Sequence, residues 1–174
     1  ATNIAGGTGN IAAIKISNSS IGGGAGNKLT DRVGGTAIGG GTSNEAKQLV
    51  YNSTIGGGTS NYVFNDVQSS TISGGNDNDI QNVVNNSTIG GGWDNDITNT
   101  VDNSTIGGGN SNLVSNQVTG STISGGVNND IVNSINNSTI AGGSINQITN
   151  TVDYATIGGG YSNLVNNNVF NSTI

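Results

Sequence analysis

Residues 55–71 read IGGGTSNYVFNDVQSST, and residues 72–88 read ISGGNDNDIQNVVNNST. Laid one under the other, these 17-residue stretches keep an opening Ile, a Gly pair, two Asn residues, aliphatic residues between and after them, and a closing Ser-Thr. The same frame fits the rest of the chain. Ile recurs at Ile4, Ile21, Ile38, Ile55, Ile72, Ile89, Ile106, Ile123, Ile140, Ile157 and Ile174, always at that same interval. A short fixed period without insertions marks a solenoid, in which each turn stacks on its neighbours.

Counting each Ile as zero, Asn stands at +6 in every turn: Asn10, Asn27, Asn44, Asn61, Asn78, Asn95, Asn112, Asn129, Asn146 and Asn163. Position +8 is small or aliphatic (Val63, Ile80, Ile97, Val114), and +12 is always Ile or Val, from Ile16 and Val33 to Val169. Asn returns at +10 from Asn65 through Asn167, and a small residue, usually Ser, lies two before the next Ile. Positions +7, +9 and +11 vary freely. Alternation of fixed and free positions has a period of 2, which is strand, not helix. The fixed parity is expected to point inward, the +10 Asn included.

These spacings predict an all-β fold: a single-chain parallel β-solenoid (β-helix) with a 17-residue turn, about ten turns, spanning residues 1–174 as one repetitive unit. We read it as a segment of a longer repeat array. One turn buries too few aliphatic groups to order itself, so stacking supplies the balance. Backbone bonds between turns about 4.8 Å apart, and an Asn ladder of Asn44, Asn61, Asn78, Asn95, Asn112, Asn129, Asn146 and Asn163, are expected to hold a rod roughly 50 Å long. The Gly-Gly-Gly after most Ile residues, as at 56–58 and 90–92, suits a tight corner. It lacks the Lys-Ser/Thr signature and following helix of a phosphate-binding loop.

Composition agrees. Only 31% of the chain is hydrophobic, 4% aromatic and 8% charged, too little for an ordinary globular core, and 31 glycines without proline would read as disorder if the sequence were aperiodic. Cys, His and Met are absent, which removes disulfides, thiolate and imidazole chemistry and every soft metal ligand. The acids occupy variable positions without a paired acid/base arrangement, so no enzymatic activity is expected. No apolar run approaches membrane-spanning length, and membrane insertion of this segment is not expected. A net charge of −6 disfavours nucleic acid. All four cations, Lys15, Lys28, Arg32 and Lys47, precede residue 50 and meet only Asp31 and Glu45 there, leaving that part at +2 and the rest at −8.

Strand parity turns a second uniform column outward: Thr54, Thr71, Thr88, Thr105, Thr122, Thr139, Thr156 and Thr173. Three readings fit it, namely the β-propensity of Thr, a packing surface against sister chains, and an ice-binding plane. Asp77 and Asp79 lie one turn before Asp94 and Asp96, with Asp130 two turns on. The plainer reading is solvated surface acids; the sharper one is Ca²⁺ held between repelling carboxylates, the only cofactor the sequence suggests. Asn18, Asn52, Asn86, Asn103, Asn137 and Asn171 form Asn-Ser-Thr or Asn-Ser-Ser sequons in one register at +14. These are glycosylation acceptors in a secretory pathway, or simply part of the repeat.

The run Gly74-Gly75-Asn76-Asp77-Asn78-Asp79-Ile80 resembles the calcium-binding nonapeptide of toxin-type β-rolls, although a pair of nonapeptides would make a turn one residue longer than this one. The segments Ser-Thr-Ile-Gly-Gly-Gly-x-x-Asn-x-Ile and Ser-Thr-Ile-Ser-Gly-Gly resemble the Gly-rich repeats of trimeric autotransporter adhesin heads and of phage and giant-virus fibres. Asn-rich turns of this size are also similar to functional amyloid of biofilm matrices. These resemblances imply a structural subunit or shaft of an extracellular filament, fibre or adhesin, at a cell or virion surface. Its expected partners are copies of itself, in a fibre or homo-oligomer, with glycans or a cell surface as further candidates. An ice-binding solenoid using the Thr column is the alternative.

Overall fold

The computed structural model describes residues 1–174 and is a parallel β-solenoid of about ten turns, built from three ten-stranded parallel sheets. Each turn contributes one short strand to each sheet. In the turn that begins at Ile55 these are Thr54–Ile55 (sheet 1), Tyr62–Phe64 (sheet 2) and Val67–Gln68 (sheet 3). Every residue pairs with its equivalent one repeat on: Ile55 with Ile72, Val63 with Ile80, Val67 with Val84. Parallel strands paired between equivalent positions give identical side chains a common column, and that is how a 17-residue period becomes ladders.

Three aliphatic columns fill the interior, one from each sheet. Ile55, Val63 and Val67 are fully buried, as are Ile89, Ile97 and Val101 two turns on, and all belong to one continuous core. The core is thin, and polar columns complete it. The serines at position +15 form one: Ser70 N–H donates to Ser53 Oγ at 3.2 Å, while Ser70 Oγ donates to the Gln68 carbonyl at 3.0 Å. No buried side-chain polar atom lacks a partner, which is what a wet-looking composition needs if its polar groups are to leave water.

Residues in the left-handed region make the corners. Between sheets 2 and 3 the chain turns on two in succession, Asn65 (φ 65°) and Asp66 (φ 62°), and the same pair recurs as Asn82–Val83 and Asn99–Thr100. This overturns one expectation. The strand alternation predicted to carry Asn65 through Asn167 inward stops at +9, so Asn65 lies exposed and +12 is the next inward residue. Asn is favoured at +10 because it tolerates positive φ. A second, exposed amide ladder results, with Asn65 Nδ2 donating to Asn82 Oδ1 at 2.8 Å and Asn82 Nδ2 to Asn99 Oδ1 at 3.1 Å.

Glycine is required at +3. Gly58 has φ +87°, and a Cβ there would drive into the Gly75 carbonyl of the next turn. Side chains are excluded by conformation and by space at once.

Candidate functional site

Inward and outward columns have different chemistry, and only the outward ones can meet a partner. The predicted Asn ladder is inward: Asn44, Asn61, Asn78, Asn95, Asn112, Asn129 and Asn146 are buried, with Asn163 half-buried at the end. Asn78 shows its wiring. Its backbone N–H donates to Asn61 Oδ1 at 3.0 Å, and its Nδ2 donates to the carbonyls of Gly74 and Gly92, both at 3.1 Å. Each amide therefore ties three turns together and satisfies the carbonyls of the glycine corner. This column is structural and, away from its ends, closed to solvent.

The Thr residues stand outward in one column on sheet 1, paired in register from Thr54–Thr71 to Thr139–Thr156, with Thr173 bridged to Thr156. On one side of it runs position +14, on the other the glycines. Position +14 is a further left-handed corner, with φ near 50° at Asn52, Asn86 and Asn137, and Gly takes it at Gly35 and Gly120. The Asn-Ser-Thr register thus follows from three backbone demands: Asn for positive φ, Ser for the inward ladder, Thr for the strand. The sequon Asn side chains are exposed.

The four acids of the calcium reading divide into two columns. Asp77 and Asp94 are exposed at the left-handed +5 corner (φ 54° and 58°), and Asp79 and Asp96 pair directly on the outer side of sheet 2. No group of three or more acids comes together in a way that could hold a metal ion. The arrangement is nevertheless strained electrostatically. Burial, then Asp96, Asp77 and Asp94, push the Asp79 carboxyl up to about 7, against a backbone hydrogen bond from Tyr62 that lowers it. Burial and Asp94 raise Asp96 to about 6. Asp130 is raised by burial and partly relieved by Gln147 Nε2, which donates to its Oδ2 at 2.9 Å. Burial leads both shifts, joined at Asp79 by its register partner Asp96 and at Asp96 by Asp94 of its own turn.

Sequence reasoning finds no pattern at positions +7 and +9, yet sheet 2 gathers them on one face. Going along the rod, that face presents Ile11, Lys28, Glu45 with Lys47, Tyr62 with Phe64, Asp79, Asp96 and Leu113. Lys47 Nζ lies 3.7 Å from Glu45 Oε1 and 5.7 Å from the Phe64 ring centroid. Ordering position +7 by turn, instead of asking which positions are constant, would have shown the aromatic Tyr62 with Lys28 and Glu45 before it and the acids Asp79 and Asp96 after it. Two open clefts run along other corners. One of about 330 Å³ is lined by Asn99, Thr100, Asn116, Gln117, Asn133 and Ser134. Another of about 410 Å³ is lined by Gln68, Ser69 and their equivalents up to Asn103. Neither has an apolar wall. The aromatics Trp93 and Tyr161 stand singly at the +4 corner, 55% and 73% exposed.

Fold and surface together define a class, a parallel β-solenoid of identical short turns with a polar exterior. Comparison with protein-family models gives no match, and comparison with curated proteins gives none.

Proposed function

We propose that the chain is a structural rod, serving as subunit or shaft of an extracellular fibre or adhesin at a cell or virion surface. What carries the reading is the uninterrupted stack. Three ten-stranded sheets run without an inserted loop, and every turn is bonded to the next through the same backbone and Asn positions, with the Ser column adding a bond as far as Ala155. A repeat that commits its constant positions to inter-turn bonding and leaves its outer positions free is suited to length and stiffness. The rod reading needs no catalysis. The ice-binding alternative draws support from the in-register Thr column, but that column is single, flanked by left-handed Asn and by Gly. A lattice-matched plane needs a second regular column beside it, so the structural reading is favoured.

Negative-stain electron microscopy of the native material tests the proposal, together with protease digestion. Straight filaments or rods of uniform narrow width that survive digestion are the expected result. Dispersed monomers that are rapidly degraded, with ice crystals in their presence taking on faceted shapes, would replace the rod reading with the ice-binding one.

A further inference from the structure

Three columns spend their asparagine amides within the rod. The buried +6 ladder does so through Asn78 Nδ2 and its equivalents, and the +10 column runs from Asn65 Nδ2 to Asn82 Oδ1. At +13, Asn85 Nδ2 donates to Asp102 Oδ1 at 2.9 Å and Asn136 Nδ2 to Asp153 Oδ1 at 2.7 Å. The +14 column differs. Asn18, Asn52, Asn86, Asn103, Asn137 and Asn171 are exposed, and none donates its Nδ2 to another residue. The carboxamide oxygens of Asn52 and Asn137 lie over Gly35 and Gly120 of the preceding turns, where a Cβ would collide with them.

Positive φ admits Asn at +14 without selecting it. The +5 corner has nearly the same backbone, with φ of 53° to 60° outside glycine against 49° to 55° for the +14 asparagines, yet it holds Asn once in ten turns, at Asn128. Position +14 holds it six times. Each of these asparagines is followed two residues on by an outward hydroxyl, Ser20 or a Thr, with an inward Ser between them, so that amide and hydroxyl share one face. The sequons step by two turns, about 10 Å, from Asn18 to Asn52 to Asn86 and again from Asn103 to Asn137 to Asn171. Between them the column is small at Gly35, Ser69 and Gly120, and bulky only at Tyr154. Where the two series meet, in the adjacent turns of Asn86 and Asn103, the open cleft of about 410 Å³ lies beside both.

We propose that the +14 column is a row of N-linked glycan attachment sites along the corner between sheets 3 and 1. The donor is an oligosaccharide carried on a lipid diphosphate. The asparagine Nδ2 bonds to the anomeric carbon, the bond from that carbon to the diphosphate oxygen breaks and its electron pair leaves with the diphosphate, and the amide proton passes to a base of the transferase. The inference rests on the surface part of the structural reading, since such donors are met on the secretory route. It makes one corner of the rod bulky and hydrated beside the Thr column, and leaves the outer face of sheet 2 open. The same geometry separates overlapping sequons. Asn85-Asn86-Ser87 and Asn136-Asn137-Ser138 also match the acceptor pattern, but their hydroxyls are buried. A glycan on Asn85 or Asn136 would also cost the folded rod the bond to Asp102 or Asp153.

The experiment starts from native material, denatured and digested with a broad-specificity protease. Peptide-N-glycosidase in heavy-oxygen water then converts each occupied Asn to a labelled Asp, read by fragmentation mass spectrometry against a control without the enzyme. Label is expected at Asn52, Asn86, Asn103 and Asn137 in most chains, and roughly tenfold less at Asn85 and Asn136, whose amides are bonded to carboxylates. In the chain expressed through a secretory pathway, Thr105→Ala should remove the label from Asn103 while leaving it on Asn86, and Thr105→Ser should restore it. Peptides covering the +14 sites recovered unmodified from native material, label shared equally between Asn85 and Asn86, or label on Asn103 that survives Thr105→Ala would overturn the assignment. Unmodified peptides from straight filaments would sink this inference and leave the rod reading standing. Labelled peptides from dispersed, easily degraded chains would do the reverse.

Discussion

The inner and outer sides of the same strands obey different rules. On sheet 2, Val63, Ile80, Ile97 and Val114 vary by little more than a methyl group along the inner column. Their neighbours one residue earlier, Tyr62, Asp79, Asp96 and Leu113, differ widely in size, charge and polarity. The inner side has a fixed volume and fixed bonding partners one turn above and below; the outer side has only solvent and whatever binds it. Stability is therefore concentrated in columns, and individuality in rows. A rod made this way can change its surface turn by turn without disturbing its stack.

The strongest way to break the contrast is to cut the inner amide ladder and compare an outer change of similar size. Asn95→Ala removes the acceptor of the Asn112 N–H and the donor to the Gly91 and Gly109 carbonyls. With the Asn112 N–H and the Gly91 carbonyl left without their partner, while the Gly109 carbonyl still accepts from Trp93 N–H, a loss of about 2–4 kcal/mol is expected in urea denaturation. Thr105→Ala on the outer column should cost less than about 1 kcal/mol.

A second test uses pH. Asp79 and Asp96 titrate higher in the folded chain (about 7 and 6) than the ordinary carboxyl value of 3.8. The folded state thus holds more protons than the unfolded one between those values, so stability must fall as pH rises through that window. It is greatest near pH 4 and levels off above the folded values. After allowance for solvent screening, thermal or urea unfolding should show a loss of about 2–3 kcal/mol. Asp79→Asn should remove the larger part of this dependence, because it deletes the larger shift, and leave the part due to Asp96, which burial and Asp94 set.

The smallest effect sharpens the account of the corners. Val83 is a β-branched residue at φ 63° and 46% exposed, whereas other turns place Asp66, Gln117 or Asn168 at the same point. Val83→Asn should raise stability by about 1 kcal/mol, measured by the shift in denaturation midpoint.

The period, the three aliphatic columns and the +6 Asn ladder are legible in the sequence because each is one residue type repeated at one spacing. The corner at +10 and +11 is not. Asn65 fits the inward parity of a continuous strand, and only the consecutive positive φ of Asn65 and Asp66 breaks it. Left-handed preference and inward polarity both select Asn, so residue type alone cannot separate them. The Thr column follows from strand parity, while the reason for the Asn before it becomes clear only from the backbone at +14. The sheet 2 face escapes a reading by repeat because its pattern lies along the rod, across successive turns.

Native-state amide hydrogen exchange tests the central claim, that the buried amide ladder binds turn to turn. The N–H groups of Asn78, Asn95, Asn112 and Asn129 lie outside the strands, yet each donates to the Oδ1 of the Asn one turn before. They should exchange as slowly as the amides of Ile80 and Ile97 in the strands beside them, through opening of whole turns. Exchange at the rate of exposed loop amides, with the strand amides still protected, would contradict it.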